Sequence, residues 1–145
     1  MDSMQMDAIQ WSRWMSVGND DLDADHRVLI AIVNKLFDEA NRQDPALIEA
    51  ILDELIAYTR HHFAAEEACM LRANYPTFAS HKALHDSLTR QVEAYRDSFR
   101  ANREGITGEE VFIFCADWLG QHILKEDTRF GEYAATGEEP QAAAG

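Results

Sequence analysis

The chain is predicted to be an all-α protein, an antiparallel up-down-up-down four-helix bundle preceded by an extended N-terminal arm. Three observations predict it. Four segments carry apolar residues at alternating steps of three and four, the spacing that lines side chains along one face of a helix. Short runs rich in Asn, Asp, Gly and Pro separate these segments, and short connections favour antiparallel neighbours. At 145 residues, 46% hydrophobic and 27% charged, the chain has the size and composition of one soluble globular domain.

Residues 1–20 form the predicted arm: Ile9, Trp11, Trp14, Met15 and Val17 follow no helical period, and Gly18-Asn19-Asp20-Asp21 reads as a turn. The bundle is predicted over 21–135. Its first helix should begin within Asp21 to Asp25, where several acids can cap it, and Leu29, Val33, Leu36 and Ala40 continue the face that starts at His26. Asp44-Pro45 supplies an N-cap and a first-turn proline for the second helix, whose inner stripe runs Ile48, Ile51, Leu55, Tyr58 or Thr59, His62, Glu66 and Cys69. Asn74-Tyr75-Pro76 breaks that pattern. The third stripe is Phe78, His81, His85, Leu88, Val92, Tyr95 and Phe99. Thr107 with Glu110 three residues on makes a capping box for the fourth helix, which turns Val111, Cys115, Trp118 and His122 inward, flanked by Phe112, Leu119 and Ile123. Residues 136–145 are small and polar, and a disordered tail is expected there.

A net charge of -13 and a pI near 4.7 argue against nucleic acid or an anionic membrane as partner, because either needs a basic face. The N-terminus lacks a basic segment followed by an apolar run, and no stretch approaches a membrane span, so no membrane insertion and a cytoplasmic location are expected. Cys69 and Cys115 have no CxxC spacing and are expected to be reduced core residues.

The chemistry lies in the stripes themselves. His62 and Glu66 stand four apart on one segment, His81 and His85 four apart on the next, with His26 before them and His122 and Asp127 after. Five of the six histidines thus fall on four helices at inward positions. A core that buried five imidazoles and two acids without a metal would strand polar groups at roughly 1–3 kcal/mol each, whereas a bound cluster satisfies them together. Imidazole and carboxylate suit iron, and also zinc, copper or manganese; no thiolate set points to structural zinc. Two octahedral ions offer about twelve positions. Five histidines, two bridging carboxylates and an oxo or hydroxo bridge leave one open for a small ligand such as dioxygen. The alternative di-iron plan, built from four carboxylates and two Glu-x-x-His pairs, is absent from this sequence. A histidine-rich, carboxylate-poor site stabilises high-valent iron less well, which tilts the expectation toward binding oxygen rather than cleaving it. At the last ligand, spacing alone favours Glu126 over Asp127, since five residues advance an α-helix by about 500°.

The ordered set of motifs resembles the hemerythrin family, in its single-domain bacterial form. The matching pieces are Trp14, Asp23-Ala-Asp-His26, His62-Phe63-x-x-Glu66-Glu67 with Met70, Tyr75-Pro76, His81-x-x-x-His85, and Trp118-Leu119-x-x-His122-x-x-x-x-Asp127, spanning residues 14–127. The resemblance implies a non-haem di-iron centre with His81, His85 and His122 on one iron, His26 and His62 on the other, and Glu66 and Asp127 bridging. Oxygen would bind at the iron with two histidines, and Trp118 and Leu119 would lie near its pocket. The family pattern selects Asp127, leaving Glu126 facing solvent; His61 and Glu67 are expected at the surface, and Asp23 either caps its helix or orients His26. The implied function is reversible dioxygen binding for transport, storage or delivery, not catalysis. The alternatives are an oxygen or redox sensor acting through a separate protein partner, and a redox enzyme working on peroxide, nitric oxide or ferrous iron.

Overall fold

A computed structural model describes residues 7–137, all of whose regular elements are helical. The first six residues of the expected arm and residues 138–145 of the expected tail lie outside the described residues. The long helices are α1 (Asp20–Asn34), α3 (Pro45–Arg72), α4 (Phe78–Ala101) and α5 (Gly108–His122); α2 (Glu39–Arg42) is a single turn between the first two. One π-helical turn, Ile123–Asp127, joins α5 to α6 (Thr128–Thr136). α3 packs against α1 and α4, and α5 returns to α1. Trp118 Nε1 donates to the Leu88 carbonyl at 3.1 Å, and the Tyr95 and Phe114 rings stack at 4.0 Å, tying α5 to α4.

The sequence accounts for most of these ends. Asp44 accepts from the amides of Ala46 and Leu47 and Pro45 occupies the first turn of α3. The expected capping box closes reciprocally, the Glu110 amide donating to Thr107 Oγ1 and the Thr107 amide to Glu110 Oε1. The cap of α1 is Asn19, not one of the acids that follow: its side chain accepts from Asp21 and Leu22, leaving Asp20, Asp21 and Asp23 in the first turn, where the helix dipole favours them. α1 also stops earlier than its stripe suggests. After Asn34 the chain tightens into a 3-10 turn at Lys35–Phe37, so Leu36 is buried but Ala40 is exposed.

Buried apolar residues form two clusters. The larger includes Leu29, Val33, Leu52, Leu55, Phe63, Leu88, Val92, Val111, Cys115 and Leu119; the smaller is Val17, Leu22, Met70, Tyr75 and Phe130. Along each long helix the order is the same. His26 lies between Leu22 and Leu29, His62 and Glu66 between Leu55 and Met70, His81 and His85 between Tyr75 and Leu88, and His122 and Asp127 between Leu119 and Phe130. The polar layer is therefore sandwiched between two apolar ones. Cys115 is buried and Cys69 half-buried, both as free thiols.

The arm packs on both clusters, Ile9, Trp11 and Met15 against the larger and Val17 within the smaller. Ile9 exchanges two hydrogen bonds with the Asn34 side chain, Trp11 lies against the Arg27 guanidinium at 4.7 Å, and Val17 packs on α6. Trp14, in contrast, is 79% exposed. At Gly131 an added Cβ would sit 2.7 Å from the Val17 backbone, whereas at Gly120 it would meet nothing within 4 Å among the described residues. Gly131→Ala is therefore expected to lower unfolding free energy by about 1–3 kcal/mol by forcing the arm away. Gly120→Ala should raise it by about 0.5–1 kcal/mol through helix propensity. Chemical denaturation of the two variants checks both signs.

Candidate metal centre

Each long helix delivers its polar residues to one layer. On α3, His62 and Glu66 are one turn apart; on α4, His81 and His85 are likewise. His26 comes from α1 and His122 from the end of α5. Asp127 arrives through the π-helical turn. In a continuous α-helix it would point well away from His122, but i→i+5 bonding widens the turn by one residue and brings five-apart positions back to the same face. Asp127 is fully buried, whereas Glu126 is half-buried and 3.9 Å from Arg129.

His26, His62, Glu66 and Asp127 are 0% exposed, and His81, His85 and His122 no more than 5%. They divide into two overlapping sets able to hold an ion: Glu66, His81, His85, His122 and Asp127, and His26, His62, Glu66 and Asp127. Within each carboxylate the two oxygens face different sets. Glu66 Oε1 lies 2.9 Å from His85 Nε2 and 3.4 Å from His81 Nε2, while its Oε2 lies 4.0 Å from both His26 and His62 Nε2. Asp127 Oδ1 lies 2.9 Å from His122 Nε2 and 3.3 Å from His81 Nε2, while Oδ2 lies 2.7 Å from His26 and 3.7 Å from His62.

His26 Nε2 pairs with Asp127 Oδ2, and the other atoms converge on common points. The Nε2 atoms of His62, His81, His85 and His122, both oxygens of Glu66 and Oδ1 of Asp127 are buried and have no hydrogen-bond partner among the described residues. So many polar orphans in one layer would cost roughly 1–3 kcal/mol each. Cations held between them would satisfy the whole set, so the donor set fits two hard or borderline ions. In the metal-free fold, burial works against charge on His62 and His81, but the neighbouring Asp127 and Glu66 outweigh it and push both imidazoles up to about 9. Burial likewise opposes charge on Asp127, yet the surrounding histidines, His122 foremost, hold it well below the usual carboxylate range.

Two carboxylates that sequence reasoning did not single out stand behind the histidines. Asp25 Oδ2 lies 3.2 Å from His62 Nδ1, its other oxygen accepting from the Tyr58 hydroxyl at 2.9 Å. Glu67, expected at the surface, instead places Oε2 2.7 Å from His85 Nδ1. The missed signal was that residues adjacent to a ligand on its own helix can reach the outer edge of a ligand on the next one. Asp23 neither caps α1 nor touches His26; it accepts from Ser16 Oγ at 2.6 Å and the Val17 amide at 2.8 Å, clamping the arm. His61 is exposed, as expected. Trp118 and Leu119 are both buried in the larger cluster, one turn before His122.

Known proteins share this arrangement. The pattern of the Hemerythrin HHE cation binding domain matches residues 17–134. A bacteriohemerythrin of Stenotrophomonas maltophilia is 31% identical over 127 residues, 88% of this chain and 82% of the relative. One from Methylococcus capsulatus is 37% identical over 109 residues, 75% and 82% of the two chains. A crystal structure of wild-type hemerythrin superposes with a TM-score of 0.75 at 32% identity, covering 86% of this chain and 95% of the other. The all-helical bundle, the buried His, Glu and Asp layer and these likenesses converge: the chain belongs to the hemerythrin family of di-iron, oxygen-binding proteins.

Proposed function

We propose that this protein is a reversible dioxygen carrier, serving transport, storage or delivery, and not an enzyme. In this reading residues 21–135 are the oxygen-binding bundle and residues 1–20 the arm that closes it. His81, His85 and His122 would hold one iron and His26 and His62 the other, and Glu66 and Asp127 would bridge the pair. The observation that carries the assignment is the division of each carboxylate, one oxygen toward each histidine set. When bound, the iron pair would supply the electrons and the binding site for dioxygen.

The chain's own contribution is to hold and to exclude. The helices present preformed imidazoles, and the apolar layers above and below keep bulk water from the ligand position. Trp118 is pinned by its hydrogen bond to Leu88, which leaves Leu119 as the compressible side chain one turn from His122. Trp118 and Leu119 together line the oxygen pocket in this proposal. The same dry surroundings admit a small apolar ligand at little cost and a charged one only with a large desolvation penalty.

Loading ferrous iron anaerobically and recording visible spectra before air, after air and after deoxygenation tests the proposal. A charge-transfer band that appears with air and vanishes on deoxygenation, at two irons per chain, is the expected result. A band that persists replaces carriage with redox sensing or turnover. His62→Ala and His81→Ala should each lose iron and the melting-temperature increment that iron confers, because metal affinity and stability are linked. Leu119→Ala should keep both irons, lose about 2–5 kcal/mol of stability and oxidise faster in air as water enters; an unchanged oxidation rate would remove Leu119 from the pocket.

Iron loading should also release protons. The raised pKa of His62 and His81 means that protonation stabilises the metal-free fold; this contribution is complete below about 6.5 and fades as pH rises through about 9. Metal needs both imidazoles neutral, so iron affinity should climb between those limits. Calorimetry in buffers of different ionisation enthalpy reads the protons released at pH 7.

A further inference from the structure

We propose that Glu67 is a positioning residue that sets the electron richness of the metal centre through His85, with Asp25 a weaker counterpart acting through His62. The inference rests on the ligand assignment proposed above. Glu67 Oε2 is 2.7 Å from His85 Nδ1, a short charge-assisted contact, whereas Asp25 Oδ2 is 3.2 Å from His62 Nδ1 and shares its charge with the Tyr58 hydroxyl. Among the described residues the Nδ1 atoms of His26 and His122 have no hydrogen-bond partner. Each histidine set thus contains an imidazole backed by a carboxylate, and the backing is shorter on the side of His85.

A carboxylate on the outer N–H of a ligating imidazole raises the basicity of its other nitrogen and so favours the more highly charged metal. The Phe63 ring lies parallel to His85 at 3.8 Å and 2°, which fixes the imidazole plane and keeps the contact with Glu67 in register. Glu67 also communicates with the surface. Its Oε1 is 3.6 Å from Lys82 Nζ at a cleft of about 300 Å3 that Arg60, Arg90 and Asp86 also line. Lys82 in turn is 3.4 Å from Asp86. The cation draws electron density from Glu67, so Lys82 and Glu67 push the iron held by His85 in opposite directions.

The opposition supplies the test. In the full-length iron-loaded protein, Glu67→Gln, Asp25→Asn and Lys82→Met are compared by iron content, melting temperature and spectroelectrochemical titration of the iron pair. Glu67→Gln should keep two irons and weaken the preference for ferric over ferrous iron by ~10-fold, a rise in potential of about 59 mV for one electron. Asp25→Asn should produce a smaller rise, and Lys82→Met a fall. Equal potentials in Glu67→Gln and the parent protein, or shifts of the same sign in Glu67→Gln and Lys82→Met, would overturn the proposal. So would iron loss in Glu67→Gln combined with an unmoved potential in Lys82→Met, which is the signature of a purely structural contact. A parent protein that fails to hold two irons would instead refute the ligand assignment on which the inference stands.

Discussion

Burying charge without a compensating partner is the constraint on which this structure depends. Glu66 and Asp127 are removed from water entirely, and five imidazoles crowd around them, four with inner nitrogens that have no hydrogen-bond partner among the described residues and the fifth, His26, against Asp127 Oδ2. An isolated carboxylate in such surroundings would take up a proton rather than remain ionised. Asp127 does the opposite because positive charge surrounds it. The metal-free fold can supply that charge only by protonating histidines, and those protons are what a di-iron centre displaces. The layer is thus poised between two ways of neutralising the same carboxylates.

Holding that layer dry explains features that add nothing to the bundle by themselves. The smaller apolar cluster would be open to solvent without the arm, so Asp23 clamps Ser16 and Val17, and Gly131 lets α6 approach the Val17 backbone. The Tyr133 hydroxyl donates to the carbonyls of Ala73 and Asn74, holding the α3–α4 connection down over the same end. Asn74 adopts φ 53°, a left-handed conformation that asparagine tolerates better than most residues, which allows the chain to turn there. A peripheral helix and an irregular arm together close the end of the polar layer.

The fold was legible because its signals are periodic and local. Asp44-Pro45, Thr107 with Glu110, and the stripes of α3 and α4 each specify an element within a few residues, and the structure places them there. The inward histidines were legible for the same reason, since each sits on an apolar stripe. Spacing failed at Asp127, because a π-helical turn has no periodic signature and an α-helical ruler selects Glu126; only the resemblance to a family pointed past it. Asp25 and Glu67 were illegible for a different reason. They work across helices, from α1 to α3 and from α3 to α4, so their partners are set by packing rather than by sequence spacing.

The π-helical turn also explains how one carboxylate can serve both histidine sets. The turn returns Asp127, five residues on, to the face that carries His122, where a regular α-helix would present Glu126 instead. There Asp127 lies between the sets, with Oδ1 toward His122 and His81 and Oδ2 toward His26 and His62. One extra residue in the turn achieves that displacement without breaking the helix, which resumes at Thr128 and carries Phe130 and Gly131 to the arm. The irregularity costs local hydrogen-bond geometry, and such turns persist in helices chiefly where a site requires them. Inserting it after His122, rather than between His81 and His85 or between His62 and Glu66, leaves the two regular pairs rigid. It also connects the bridging carboxylate to the arm through α6, so that the closure of the site and the position of its central ligand depend on the same stretch of chain.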